Sequence, residues 1–150
     1  MLSGKLIHLI EAHREEIAAN VIHAIRHHPD IVHMRKLPDA EFRERGQQIL
    51  ENLDHWLAAG FETEIAHHYE VLGKARFEES IPLHESLRAL CILKDKMIDF
   101  VNEQAIAKNS VELYAEEELE RRIGRFFDAL MIHMARGYEN AVRRAAHAAA

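Results

Sequence analysis

An all-α fold, a bundle of about five main helices closed by a long C-terminal one, is what this sequence predicts, on three observations. Six Gly and three Pro among 150 residues are about half of ordinary usage, too few turn formers for a sandwich, a barrel or a disordered chain. Five segments gather their apolar residues on one side of a wheel turned by 100° per residue. The last of them runs from Ser110 to about Ala148 without a proline. The length suits one domain over residues 1–150.

The first segment, about Ser3 to His28, aligns Leu6, Ile7, Ile10, Ile17, Val21 and Ile25 as one continuous helix, and His28-Pro29 ends it because the residue before proline avoids the α region. A linker with Pro29 and Pro38 leads to Asp39, the predicted N-cap of a second helix. There Phe42, Ile49, Leu50, Leu53, Trp56 and Leu57 align, with Gly60 as the C′ stop. The third helix, Phe61 to Glu79, lines up Phe61, Ile65, Tyr69 and Leu72. Ser80-Ile81-Pro82 then breaks and restarts the chain, Pro82 suiting a first helical turn. The fourth, Leu83 to Ala107, points Leu83, Leu87, Leu90, Met97, Ile98 and Val101 inward.

Ser110 is the predicted cap of the fifth helix, in which Leu119, Ile123, Phe126, Phe127, Leu130, Met134, Tyr138 and Ala141 hold one wide stripe. Val111 and Tyr114 fall nearly opposite, so either the first turn packs elsewhere or the helix begins near Glu116. Even that shorter helix is roughly 50 Å long at ~1.5 Å per residue, against about 40 Å for a compact globule of this size. Its end is therefore expected to protrude or to pair with a second chain. Phe126, Leu130, Met134, Gly137, Tyr138 and Ala141 are the candidate dimer interface, Gly137 allowing close helix approach.

Nineteen Lys and Arg against 25 Asp and Glu give a net charge of −6, the wrong sign for nucleic acid or an anionic membrane. No apolar run reaches the ~18–20 residues of a membrane span, and Met1 to Glu11 lacks the pattern of a signal peptide. The expectation is a cytoplasmic protein with neither membrane nor nucleic acid as partner. The single Cys91 excludes an internal disulfide and a multi-cysteine zinc site; between Leu90 and Ile92 it reads as a small core residue. No phosphate-binding glycine loop or nucleophile elbow occurs.

Twelve His are the compositional oddity. His23 and His27 have the i,i+4 spacing of a metal pair, but their stripe lies opposite the apolar face, the place of a solvated surface. Glu64-x-x-His67 is half of a di-iron signature whose second half is missing. His28, His68 and His133 flank apolar stripes and are the candidates for an axial heme ligand, each with the plainer reading of a histidine bonded to a backbone carbonyl. His28 and His68 are also candidates for a pH response. His8, His55 and His84 fall at stripe edges or on polar faces. Glu116-Glu117-Glu118, followed by Arg121 and Arg122, reads as an exposed charged face.

Two cations fall on apolar faces: Arg76 in the third helix and Lys94 in the fourth. Each must snorkel or meet a carboxylate, and Glu79, three residues after Arg76, is its predicted partner. The stretch around it, Tyr69-x-x-Leu72-Gly73-x-x-Arg76-x-x-Glu79-x-Ile81-Pro82-Leu83-x-x-x-Leu87-Arg88-Ala89, resembles the signature of the RsbT co-antagonist RsbRD N-terminal domain family, the sensory domain of RsbR-type stress regulators. The order of helices around it extends the resemblance to most of the chain.

The resemblance implies a globin-like helical domain that usually lacks heme, forms dimers and has no catalysis of its own. It implies a place N-terminal to an output module such as a STAS domain, and this sequence stops at Ala150, where many relatives continue. The expected function is thus a non-catalytic sensory or regulatory domain acting through homodimerisation and protein contacts, without a cofactor. The alternative is a heme- or metal-binding helical sensor.

Overall fold

The structure, a computed structural model, describes residues 2–58, 62–104 and 108–149, and among these every regular element is helical. Seven α-helices follow one another: α1 (Leu2–Ala12), α2 (Arg14–His27), α3 (Asp39–Leu50), α4 (Leu53–Leu57), α5 (Glu62–Glu78), α6 (Leu83–Gln104) and α7 (Ser110–Ala149). A short 3₁₀ turn, His33–Lys36, interrupts the linker between α2 and α3. The bundle and its long last helix are those the sequence predicts. Gly60, Phe61 and Ala107 lie outside the described residues.

Two predicted helices are each divided. At His13 the backbone leaves the helix, with φ −107° and ψ 21°, and the imidazole Nδ1 lies 2.8 Å from the Leu9 carbonyl that the His13 N–H also uses. A side chain competing for a helical carbonyl bends the helix. The Glu11 carbonyl left over accepts from Arg14 Nη1 at 3.0 Å. Between α3 and α4 the break frees the Gln48 carbonyl, which accepts from Trp56 Nε1 at 2.9 Å.

The caps also differ from expectation. Pro38, not Asp39, stands at the N-cap of α3, and the Asp39 carboxylate serves Arg26 instead, at 2.7 Å. Arg26 also donates to the Arg35 and Leu37 carbonyls and lies over the Phe42 ring, so one side chain fastens the linker to α2. Asn109, not Ser110, caps α7: its Oδ1 accepts from Glu112 N–H at 2.9 Å. The first turn of α7 neither packs elsewhere nor is missing, since Val111 and Tyr114 are exposed on a helix that begins at Ser110.

α5 and α7 form the closest pair, with α6 beside α7, and α2 packed on α3 and α6. Among the described residues the predicted stripes of α2, α5 and α7 are buried, Tyr138 of α7 only half so. Of the predicted inner face of α6, Leu90, Met97 and Val101 are buried and Leu83, Leu87 and Ile98 half-buried, while Glu85, Ser86, Leu93 and Phe100 also face inward. Within the described residues no helix is long and apolar enough to cross a membrane.

The candidate dimer contact is corrected by the packing. Phe126, Leu130, Met134, Gly137 and Ala141 are buried within the protomer, and Tyr138 is half-buried with its hydroxyl donating to the Ile81 carbonyl at 2.8 Å. The protomer itself consumes that stripe. A Cβ on Gly137 would stand 2.6 Å from Cα and the carbonyl carbon of Glu70, so its missing side chain serves the α5–α7 seam inside one chain.

Candidate ligand cavity and the buried arginine cluster

Arg76 is the one arginine among the buried charged residues described, with 3 % of its surface exposed. Helix α5 ends just after it in a Schellman turn: Ile81 N–H donates to the Arg76 carbonyl at 2.9 Å and Ser80 N–H to Phe77 at 3.0 Å, with Ser80 at φ 60°. That turn brings Glu79 back to the guanidinium. Nη1 donates to Glu79 Oε1 at 3.0 Å, as the sequence predicts, and Nη2 meets Glu41 Oε1 of α3 at 3.1 Å. Arg45, one turn after Glu41, pairs with the same carboxylate at 3.6 Å. Two cations and two carboxylates balance, so the cluster joins α3 to the end of α5 without a stranded charge. Lys94, the other cation on an apolar face, stays partly exposed near Asp95 at 3.9 Å.

Arg76 forms part of the wall of a half-open cavity of about 60 Å³. Val21 and Ile25 of α2, Met34 of the 3₁₀ turn, and Phe42, Arg45, Gly46 and Ile49 of α3 form one side. Tyr69 and Leu72 join Arg76 from α5, Ser86, Ala89, Leu90 and Leu93 come from α6, and Met134 comes from α7. Of the residues named in the stretch from Tyr69 to Ala89, Tyr69, Leu72, Arg76 and Ala89 thus converge on it. Gly73 faces α7 instead, where a Cβ would stand 2.8 Å from Tyr138 N. Burial pushes the Tyr69 phenol well above its ordinary value, and Arg45 and Arg76 only partly offset this. The phenol therefore stays protonated. Ser86, 2 % exposed, carries a hydroxyl with no hydrogen-bond partner among the described residues.

Glu85, beside Ser86, anchors the cavity's 3₁₀ wall. Its carboxylate accepts from Val32 N–H and Met34 N–H at 3.0 Å each and lies 2.6 Å from His33 Nδ1. Burial alone raises this carboxyl, but the bonds from Met34 and His33 outweigh it and hold the group below its ordinary value. The carboxylate thereby fixes Met34 against the cavity.

The histidines are dispersed. None of them lines the cavity, so the heme candidates do not meet there. His28 Nδ1 accepts from Asp30 N–H at 3.1 Å, His68 is exposed, and His133 Nε2 lies 3.7 Å from Glu62. His23 and His27 are exposed and stack on each other, His27 Nδ1 lying 2.8 Å from the His23 carbonyl. Among the described residues no group of three or more His, Cys, Asp or Glu is placed to hold a metal. The acidic run is corrected in one member: Glu116 is buried, while Glu117 is exposed and Glu118 pairs with Arg121 and Arg125. Burial raises the neighbouring Glu120 carboxyl, and the charges of Glu116 and Glu117 raise it further.

Sequence reading alone passed over Glu41, Arg45, Gly46, Glu85 and Ser86. Gly46 was the readable one, an isolated glycine inside a helical pattern; the others depend on partners far along the chain.

These features define a helical domain built around a small cavity with a charge-balanced arginine at its wall. The chain belongs to the RsbT co-antagonist protein rsbRD N-terminal domain family, whose sequence pattern matches residues 15–150. The family is a sensory or regulatory N-terminal domain of stress regulators. No curated protein and no solved structure matches the chain.

Proposed function

We propose that this domain is a non-catalytic input unit that works as a homodimer and passes its state to other proteins, a regulatory partner or a fused STAS-like output module, through α7. The observation that carries the reading is the course of that helix. It packs on α1, α4, α5 and α6, places Met134 at the cavity, and continues beyond its last buried residue, Ala141, as exposed helix from Val142 to Ala149. A rearrangement at Met134 therefore has an unbroken helical route to a solvent-facing end. The contact surface this leaves for a second copy is the outer side of α7, where Tyr114, Ile132 and Val142 are exposed.

Sedimentation velocity tests the reading. The expected result is a dimer for the wild type and a monomer for Ile132→Glu combined with Val142→Lys, both with unchanged helicity. A wild type that stays monomeric at high micromolar concentration contradicts it.

A further inference from the structure

We infer that the cavity between Gly46 and Ser86 binds a small uncharged amphiphile, a molecule of a few heavy atoms with one hydroxyl-like end, its polar atom on Ser86 Oγ and its hydrocarbon against Met34, Leu90 and Met134. The inference deepens the regulatory reading by naming its ligand class and rests on that reading for its biological use.

Two independent features point to an occupant. Ser86 is 2 % exposed and its hydroxyl has no partner among the described residues, a condition native proteins rarely leave without a reason. Its neighbours on the same wall, Ala89, Leu90 and Leu93, offer no polar side-chain atom; the cavity's other polar side chains, Tyr69, Arg45 and Arg76, come from α5 and α3. Gly46 is the second feature. It sits buried inside α3, where glycine is unfavourable relative to alanine, yet a Cβ there would meet nothing within 4 Å. The helix gives up a side chain and leaves space, on the cavity wall.

The chemistry of the occupant follows from charge and size. Arg76 and Arg45 are already balanced by Glu41 and Glu79, so an anion would have to displace a carboxylate and a cation would meet two guanidinium groups. A neutral molecule does neither. A single water needs ~10–15 Å³ and an apolar cavity of about 150 Å³ takes benzene, so about 60 Å³ suits a few heavy atoms, and the half-open mouth admits them.

The test uses the full chain with methyl-labelled methionine and 1-butanol as probe. Met34 and Met134 line the cavity, whereas Met97 is fully buried away from it. The Met34 and Met134 methyl resonances are expected to move saturably while Met97 stays. Ser86→Ala should weaken binding about 3- to 10-fold, the effect of one lost hydrogen bond, without lowering the melting temperature, because it deletes an unpaired group. Gly46→Leu should abolish binding by filling the space. Unsaturable drift of all methyls, equal binding by Ser86→Ala, undiminished binding by Gly46→Leu, or tighter binding of butyrate than of 1-butanol each overturns the ligand class and leaves the regulatory reading standing. Saturable cavity binding with no change in sedimentation supports the ligand and counts against α7 as the output.

Discussion

Two sides of the domain use missing side chains in opposite ways. Toward α7, Gly73 and Gly137 let two backbones touch: a Cβ on either would stand under 3 Å from main-chain atoms of the partner helix. Across the cavity, Gly46 of α3 also lacks a side chain, but a Cβ there would meet nothing. One side of the domain is closed to the limit of atomic contact, and the other keeps room. The seam has no slack to give, whereas the cavity side has open space beside its glycine.

The sharpest way to break this contrast is on the seam. Backbone atoms of α5 have no side-chain freedom with which to retreat, so Gly137→Ala should lower unfolding free energy by about 3 kcal/mol or more, at the upper end of overpacking costs. Urea denaturation checks it; an unchanged midpoint would mean the helices are not in contact. Next in size is Glu85→Ala on the cavity side, which strands the buried Met34 N–H at about 1–3 kcal/mol and also removes the acceptor of the part-buried Val32 N–H. Here the loss should come with greater hydrogen exchange at Val32 and Met34, sparing the seam.

Acid gives the same region a second readout. A carboxyl held below its unfolded value stabilises the fold above about pH 4.5, and that contribution is lost as pH falls through the folded value. Wild-type stability should therefore drop as pH falls below about 4.5, with a shallower slope for Glu85→Gln; equal slopes would remove Glu85 from the acid response. The smallest of these effects belongs to the turn where α5 leaves the seam. Ser80 holds the left-handed conformation that glycine adopts freely. Ser80→Gly should raise stability by up to about 1 kcal/mol, measured as a higher midpoint at constant m-value.

How much of this was legible in sequence follows from the range of each interaction. The stripes of α2, α5 and α7 were readable because burial repeats along one helix, and Glu79 was readable as the partner of Arg76 because it lies one turn away. Glu41 reaches Arg76 from another helix, and no periodicity reports that. The face of α6 was only partly readable: Leu90, Met97 and Val101 are buried as their pattern predicts, but Glu85 and Ser86 are polar residues turned inward, which an apolar pattern cannot report. The breaks at His13 and before α4 escaped because the apolar stripe continues across them, while the imidazole and the indole that bond helical carbonyls there leave no mark on an apolar pattern. Gly137 was recognised as allowing close approach, but pattern alone does not say whether the approaching helix belongs to the same chain.

Gly46 leaves open space on the cavity wall, and Gly46→Ala in the ligand-free protein measures that most directly. A Cβ that meets nothing, in a helix that prefers alanine, should raise unfolding free energy by about 0.5–1 kcal/mol, opposite in sign to Gly137→Ala under identical conditions. A loss of stability in Gly46→Ala would show that the position is already packed, and would contradict the account.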